Sequence, residues 1–127
     1  ELAQRITALP GTKDYGAMTA WLQLAYQPSI LRKVSAQVFR PRPQVDSAML
    51  HLAPLKTGRR DLADADRQGL SEFLRQAFSG RRKKLRNTKA LAGRLVGPHL
   101  QGLLELRPDA VAPNDLLELF FHLRENS

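Results

Sequence analysis

The 127-residue sequence has no cysteine. That excludes disulfides, thiolate zinc sites and cysteine nucleophiles, and is compatible with a reducing cytoplasm. No apolar run approaches the roughly 18 residues of a membrane span, and the opening "ELAQRITAL" carries no secretory pattern. Acidic residues are scarce: 12 Asp and Glu face 20 Lys and Arg, for a net charge of +8 and a pI near 10.6. Charge of this size acts on association more than on fold, and favours a polyanion, nucleic acid before membrane. No phosphate-binding glycine loop and no G-x-S-x-G element occur. His51, His99 and His122 lie far apart along the chain without metal-ligand spacing, so no metal site is expected. Asp46, Asp61, Asp64 and Asp66 include no pair that spacing alone makes catalytic.

With 43% hydrophobic residues the chain can bury one modest core or two small ones. It begins at Glu1 with a helix already under way, Leu2, Ile6 and Leu9 falling at helical spacing, so it is expected to start inside a domain. "PGTKDYG" should break that helix at Pro10 or Gly11. A second helix is predicted from about Ala17 to Tyr26, with Met18, Trp21, Leu22 and Ala25 as its apolar face. "SILRKVS" is a short strand candidate. Arg40-Pro41-Arg42-Pro43 should be stiff and extended. The strand predicted over Val45–Leu52 puts Val45, Ser47, Met49 and His51 on one side and Asp46, Ala48, Leu50 and Leu52 on the other. Residues 53–64, rich in Pro, Gly and charge, read as a linker. Beyond them the pattern is helical: a helix capped by Asp66 with Leu70, Phe73, Leu74, Ala77 and Phe78, ending at Gly80; a basic helix over Arg82–Leu95; a third over His99–Leu106; and a last from Pro113 with Leu116, Leu117, Phe120, Phe121 and Leu123.

"RRKKLRNTKALAGR" holds Arg81, Arg82, Lys83, Lys84, Arg86, Lys89 and Arg94 with no acidic residue among them. On a helix, Leu85, Thr88, Ala92 and Leu95 would dock while Arg82, Arg86 and Lys89 face outward. Like charges at i,i+4 repel by a few tenths of a kcal/mol, roughly, unless a polyanion relieves them. The run therefore reads as a phosphate-contact surface, with Asn87 as a base or ribose contact; a solvated basic face or an anionic lipid surface are the other readings. Phe39, just before the two prolines, is either a core residue or a ring held rigidly outward. Spacing alone stops at an RNA- or DNA-binding α+β fragment.

Three stretches go further. "RITALPGTKDYGAMTAWLQ", "VFRPRPQVDSAMLHL" and "AFSGRRKKLRN" occur in the order and spacing of the small-subunit ribosomal RNA adenine dimethyltransferase family, which this chain resembles over essentially its whole length. The family's F-x-P-x-P-x-V-D-S falls on Phe39, Pro41, Pro43, Val45, Asp46 and Ser47. Its R-R-K-x-x-R-N falls on Arg81, Arg82, Lys83, Arg86 and Asn87, and "LRPDAVAPNDL" matches its last loop and helix more loosely. The resemblance implies an S-adenosylmethionine-dependent enzyme that dimethylates the exocyclic amines of two adjacent adenines in small-subunit rRNA during ribosome biogenesis. It implies residues 1–52 as the last strands and helices of a Rossmann-like methyltransferase domain, 53–64 as a linker, and 65–127 as a small all-α RNA-binding C-terminal domain. It also implies that Phe39 stacks on the target adenine, that Arg81, Arg82, Lys83, Lys84, Arg86, Asn87, Lys89 and Arg107 contact rRNA, and that the protein is a cytoplasmic monomer without a metal.

The sequence departs from the family at Ala17, where a basic residue is common. The family's cofactor loop, acidic ribose-binding residue and N-x-P-Y/F motif lie upstream of Glu1, so the chain alone is expected to be inactive and to hold no cofactor in the family manner. Two alternatives stay open: a non-catalytic nucleic-acid-binding module, and a large-subunit, erythromycin-resistance type methyltransferase. The latter shares F-x-P-x-P but not R-R-K-x-x-R-N.

Overall fold

The computed structural model describes residues 2–34, 47–55, 62–80, 82–91 and 93–125; for Lys33, Val34 and Ser47 it describes the backbone alone. Phe39 with the Arg-Pro-Arg-Pro stretch, Val45, Asp46, Arg81 and Ala92 lie outside the described residues.

Helix α1 spans Leu2–Ile6 and buries Ala3 and Ile6. Contrary to the predicted stripe, Leu2 and Leu9 are exposed; Leu9 lies beyond the helix, which stops at Ile6. Thr7 directs both its N–H and its hydroxyl to the Ala3 carbonyl, and Gly11 adopts a left-handed φ of 91°, a turn that glycine makes without strain. Gln23 Nε2 then donates to the Ile6 and Ala8 carbonyls, at 2.9 Å each, satisfying groups the helix end leaves open.

Helix α2 spans Ala17–Gln23. Its buried side is Thr19 and Ala20, continuing into Leu24 and Ala25, while Met18 is exposed and Trp21 only half-buried. Of the predicted face, Ala25 is buried, Trp21 packs half-buried against the core and Leu22 is half-buried, while Met18 is exposed; Thr19, Ala20 and Leu24 are buried positions outside the prediction. A polar residue decided the orientation: Thr19 Oγ1 accepts the Gly16 N–H at 3.1 Å and donates to the Arg5 carbonyl at 2.7 Å, fastening α2 to α1.

Strands β1 (Tyr26–Val34) and β2 (Ser47–Pro54) form an antiparallel pair. Tyr26 faces Pro54 and Ile30 faces Leu50, but Arg32 faces Met49, so Leu31 is the extra residue of a bulge. The Leu55 N–H continues the pairing to the Ala25 carbonyl at 2.9 Å. β1 starts three residues before "SILRKVS", and β2 runs two beyond Leu52. Pro28 is tolerated because each strand of a two-stranded sheet is an edge.

Helix α3 spans Asp64–Phe78 and buries the predicted set, Leu70, Phe73, Leu74, Ala77 and Phe78. It begins before Asp66, with Ala63 at the cap position. The Asp66 carboxylate instead pairs with Arg124 at 2.7 Å. Helix α4 spans Pro113–Glu125 and buries Leu116, Leu117, Leu119, Phe120 and Leu123. Phe120 lies over Gly69, where an added Cβ would stand 3.1 Å from its ring, so the two helices approach closely there. The segment predicted as a helix over His99–Leu106 is 3₁₀ in form, Pro98–Glu105, and a second 3₁₀ turn covers Pro108–Ala110.

One apolar cluster takes Ala8, Tyr15, Ala20 and Leu24 together with the buried faces of α3 and α4 and with Leu85, Leu91, Leu100 and Val111. Residues on both sides of 53–64 thus share a core.

Candidate nucleic-acid interface

Among the described residues no helix spans Arg82–Leu95. Of those residues only Leu85–Asn87 are helical, as one 3₁₀ turn, and the chain proceeds by tight turns: Lys83 N–H to Gly80 O, Asn87 N–H to Lys84 O, Leu91 N–H to Thr88 O, Arg94 N–H to Leu91 O. Gly93 takes a left-handed φ of 74°. The predicted stripe fails with the helix: Leu85 and Thr88 are buried, but Leu95 is 88% exposed, and Ala90 and Leu91 face the core instead. A regular helix would hold Arg82, Arg86 and Lys89 at repelling i,i+3 and i,i+4 spacings. Successive turns avoid that regular stacking.

Three interactions anchor the segment. Leu85 is fully buried, its N–H donates to the Leu106 carbonyl at 2.8 Å, and its carbonyl accepts the Thr88 hydroxyl at 2.8 Å. The main-chain bond to Leu106 sets the segment carrying Arg107 beside the turn.

The absence of acidic residues within the run does not leave it unneutralised. Glu105, from the 3₁₀ segment, pairs with Lys84 Nζ at 3.1 Å and with the Arg86 guanidinium, all three side chains being about half exposed. Nothing local in the sequence marks this partner, which lies 21 residues from Lys84. Arg82, Lys83, Lys89 and Arg107 are exposed and have no acidic partner among the described residues. Asn87 is exposed beside them. Arg94, although exposed, donates to the Leu123 carbonyl at 2.9 Å near the end of α4, so one of its guanidinium nitrogens serves as a C-terminal tie.

Two of the three histidines, distant in sequence, meet in space. The His99 and His122 rings pack edge to face at 6.0 Å, His122 Nε2 accepts the Gly97 N–H at 3.1 Å, and His99 lies 3.6 Å from Glu118. Among the described residues no three His, Asp or Glu side chains converge as a metal set. The open cleft between α3 and α4, about 370 Å³, is lined by Asp66, Gly69, Phe73, Phe120 and Arg124. It does not fit S-adenosylmethionine: the two carboxylates lining it, Asp66 and Glu72, are held by Arg124 and Arg75, and Phe120 packs closely over the one glycine. No helix of the described residues is long and apolar enough to cross a membrane.

The fold formed by the strand pair and the helices around it is matched by solved structures. A crystal structure of a dimethyladenosine transferase from Plasmodium falciparum matches with a TM-score of 0.78 at 20% identity, over 98% of this chain and 54% of that one. The 23S rRNA methyltransferase ErmE matches with a TM-score of 0.59 at 21% identity, over 97% and 51%. Residues 1–110 match the family described as Ribosomal RNA adenine dimethylase, and the chain belongs to that family. It is 40% identical over 120 residues to Ribosomal RNA small subunit methyltransferase A of Chlorobium luteolum, covering 94% of this chain and 42% of that protein. It is 37% identical over 130 residues to the protein of that name from Rubrobacter xylanophilus, covering 94% and 45%. The chain spans less than half the length of these curated relatives.

Proposed function

We propose that this chain is the C-terminal part of an S-adenosylmethionine-dependent rRNA adenine N6,N6-dimethyltransferase acting on two adjacent adenines of small-subunit rRNA, and that it supplies rRNA binding and one wall of the target-adenine pocket. The observation that carries this reading is the 37–40% identity, over 94% of the chain, to small-subunit methyltransferases. The exposed cations around Leu85 support it.

An adenine amine is a weak nucleophile, its lone pair delocalised into the ring. The base must leave its stack, be clamped, and have its amine aimed, so positioning supplies much of the acceleration. In this reading Arg81, Arg82, Lys83, Lys89 and Arg107 hold the RNA backbone, Asn87 touches a base or ribose, and Phe39, braced by Pro41 and Pro43, stacks on the extracted base, a contact worth about 1–3 kcal/mol. S-adenosylmethionine, the methyl donor, is assigned to the part of the relatives' length that this chain does not span. The 127 residues alone are then inactive, with residues 1–52 completing a methyltransferase domain and 65–127 forming an RNA-binding unit.

The test is methylation of purified ribosomal particles by the full-length protein. Small-subunit particles should be methylated at adjacent adenines, and Phe39→Ala should cut the rate strongly while leaving stability within about 1 kcal/mol. A stability loss of about 3–5 kcal/mol would instead mark Phe39 as a core residue. Methylation of large-subunit rRNA would move the chain to the antibiotic-resistance type, and RNA binding without methylation would leave a non-catalytic module.

A further inference from the structure

Glu105 uses both carboxylate oxygens on two cations of one turn: Oε2 accepts from Lys84 Nζ and Oε1 from the Arg86 guanidinium. Two cationic donors converging on two oxygens of a single anion is also the arrangement that receives an RNA phosphate through its non-bridging oxygens. We infer that Lys84 and Arg86 form a phosphate-binding site that Glu105 occupies in the free protein and that an incoming RNA phosphate takes over. The inference rests on the rRNA-binding reading above and adds how that surface is gated.

The carboxylate is not needed to build the turn. Leu85, between the two cations, is fully buried, its N–H is held by the Leu106 carbonyl, and its own carbonyl is held by Thr88. Burial and main-chain bonds therefore set where Lys84 and Arg86 emerge, whether or not Glu105 is charged. The three side chains are 45–55% exposed, and ion pairs so wetted contribute little to stability, so a phosphate displaces the carboxylate without a large penalty. The pair between Asp66 and Arg124 is different in kind. It joins α3 to α4, and the guanidinium also lies 4.8 Å from the Phe121 ring centre.

A functional consequence follows from having two kinds of cation. Arg82, Lys83, Lys89 and Arg107, unpaired among the described residues, meet any polyanion. Lys84 and Arg86 are gained only by an RNA that sets a phosphate between them. Glu105 thereby weakens adventitious binding more than binding of a shape-matched RNA, which is specificity obtained by competition.

The experiment uses the full-length protein and its Glu105→Gln variant, nearly the same in shape but uncharged, titrated with a uridine oligonucleotide across a salt series. Affinity should rise about two- to fivefold at low salt, the scale of one exposed ion pair. The slope of log K against log salt should steepen by about 0.7 for the additional phosphate neutralised on a single strand. Glu105→Ala should behave alike, and adding Lys84→Gln and Arg86→Gln should abolish the gain. Unchanged or weaker binding by Glu105→Gln, with a melting temperature equal to wild type, overturns the inference and makes Glu105 a brace. A wild-type protein that does not bind RNA removes the RNA-binding reading itself, and one that binds with no salt dependence removes phosphate contact by these cations, failures visible before any variant is made.

Discussion

The Tyr15 side chain is fully buried, and its hydroxyl donates to the Val111 carbonyl at 2.7 Å across 96 residues of sequence. Burial raises the phenol's pKa well above its usual value near 10, and the negative charge of Asp115 raises it further. The folded protein therefore keeps this proton at pH values where the unfolded chain loses it. The unfolded state then binds fewer protons, and stability falls as pH climbs past about 10. Tyr15→Phe should lose about 1–3 kcal/mol at neutral pH, because the Val111 carbonyl is left without this donor. Its stability should also decline less steeply than wild type between about pH 10 and 11. Denaturant unfolding of both proteins at the two pH values checks this, and parallel declines would show that Tyr15 is not the titrating group. In sequence Tyr15 sits in "PGTKDYG", among turn formers that suggest a surface loop. Its true partner, near the other end of the chain, leaves no local signal.

At the scale of elements, legibility followed how far each one's determinants reach along the chain. Helices α3 and α4 carry their own instructions in the 3.6-residue recurrence of Leu70, Phe73, Leu74, Ala77 and Phe78 and of Leu116, Leu117, Phe120 and Leu123, and most of the predicted positions are buried. The cationic segment also has an amphipathic recurrence, yet it forms turns, because its contacts are with Leu106 and Glu105 and because Gly93 bends the chain at positive φ. The candidate site was readable as a set of residue types but not as a surface. Charge density points to a polyanion as the expected partner, while which cations are paired depends on a residue outside the run. The turn and its charges should separate experimentally. Leu85→Ala, which empties a fully buried site, should cost about 2–5 kcal/mol and weaken RNA binding as the turn loosens. Arg82→Ala with Lys83→Ala should leave stability within about 0.5 kcal/mol and flatten the salt dependence of binding. Urea midpoints and binding isotherms at several salt concentrations measure both. A strong stability loss from the double variant would contradict the exposed, unpaired placement of these two cations.

For the whole molecule, composition alone allowed one core or two, and the Pro, Gly and charge content of residues 53–64 argued for a boundary. The cluster of buried side chains crosses it. Ala20 and Leu24 from the α2 region share the core with α3 and α4, the Tyr15 ring lies 6.0 Å from that of Phe78, and the Gly11 N–H donates to the Asp109 carbonyl at 2.7 Å. Apolar packing that is shared in this way couples unfolding, since α2 cannot leave without exposing α3. The sequence supplies a reporter for each side. Its one tryptophan, Trp21 on α2, packs against the shared core, whereas most of the helical circular dichroism signal comes from α3 and α4. Urea unfolding of the 127-residue chain followed by tryptophan fluorescence and by far-ultraviolet ellipticity should give coincident midpoints. Leu116→Ala in α4, at a fully buried position, should lower both midpoints together by the equivalent of about 2–5 kcal/mol. If the fluorescence midpoint stayed in place while the ellipticity midpoint fell, residues 53–64 would separate two independently stable units, and the shared cluster would be a contact between them rather than one core.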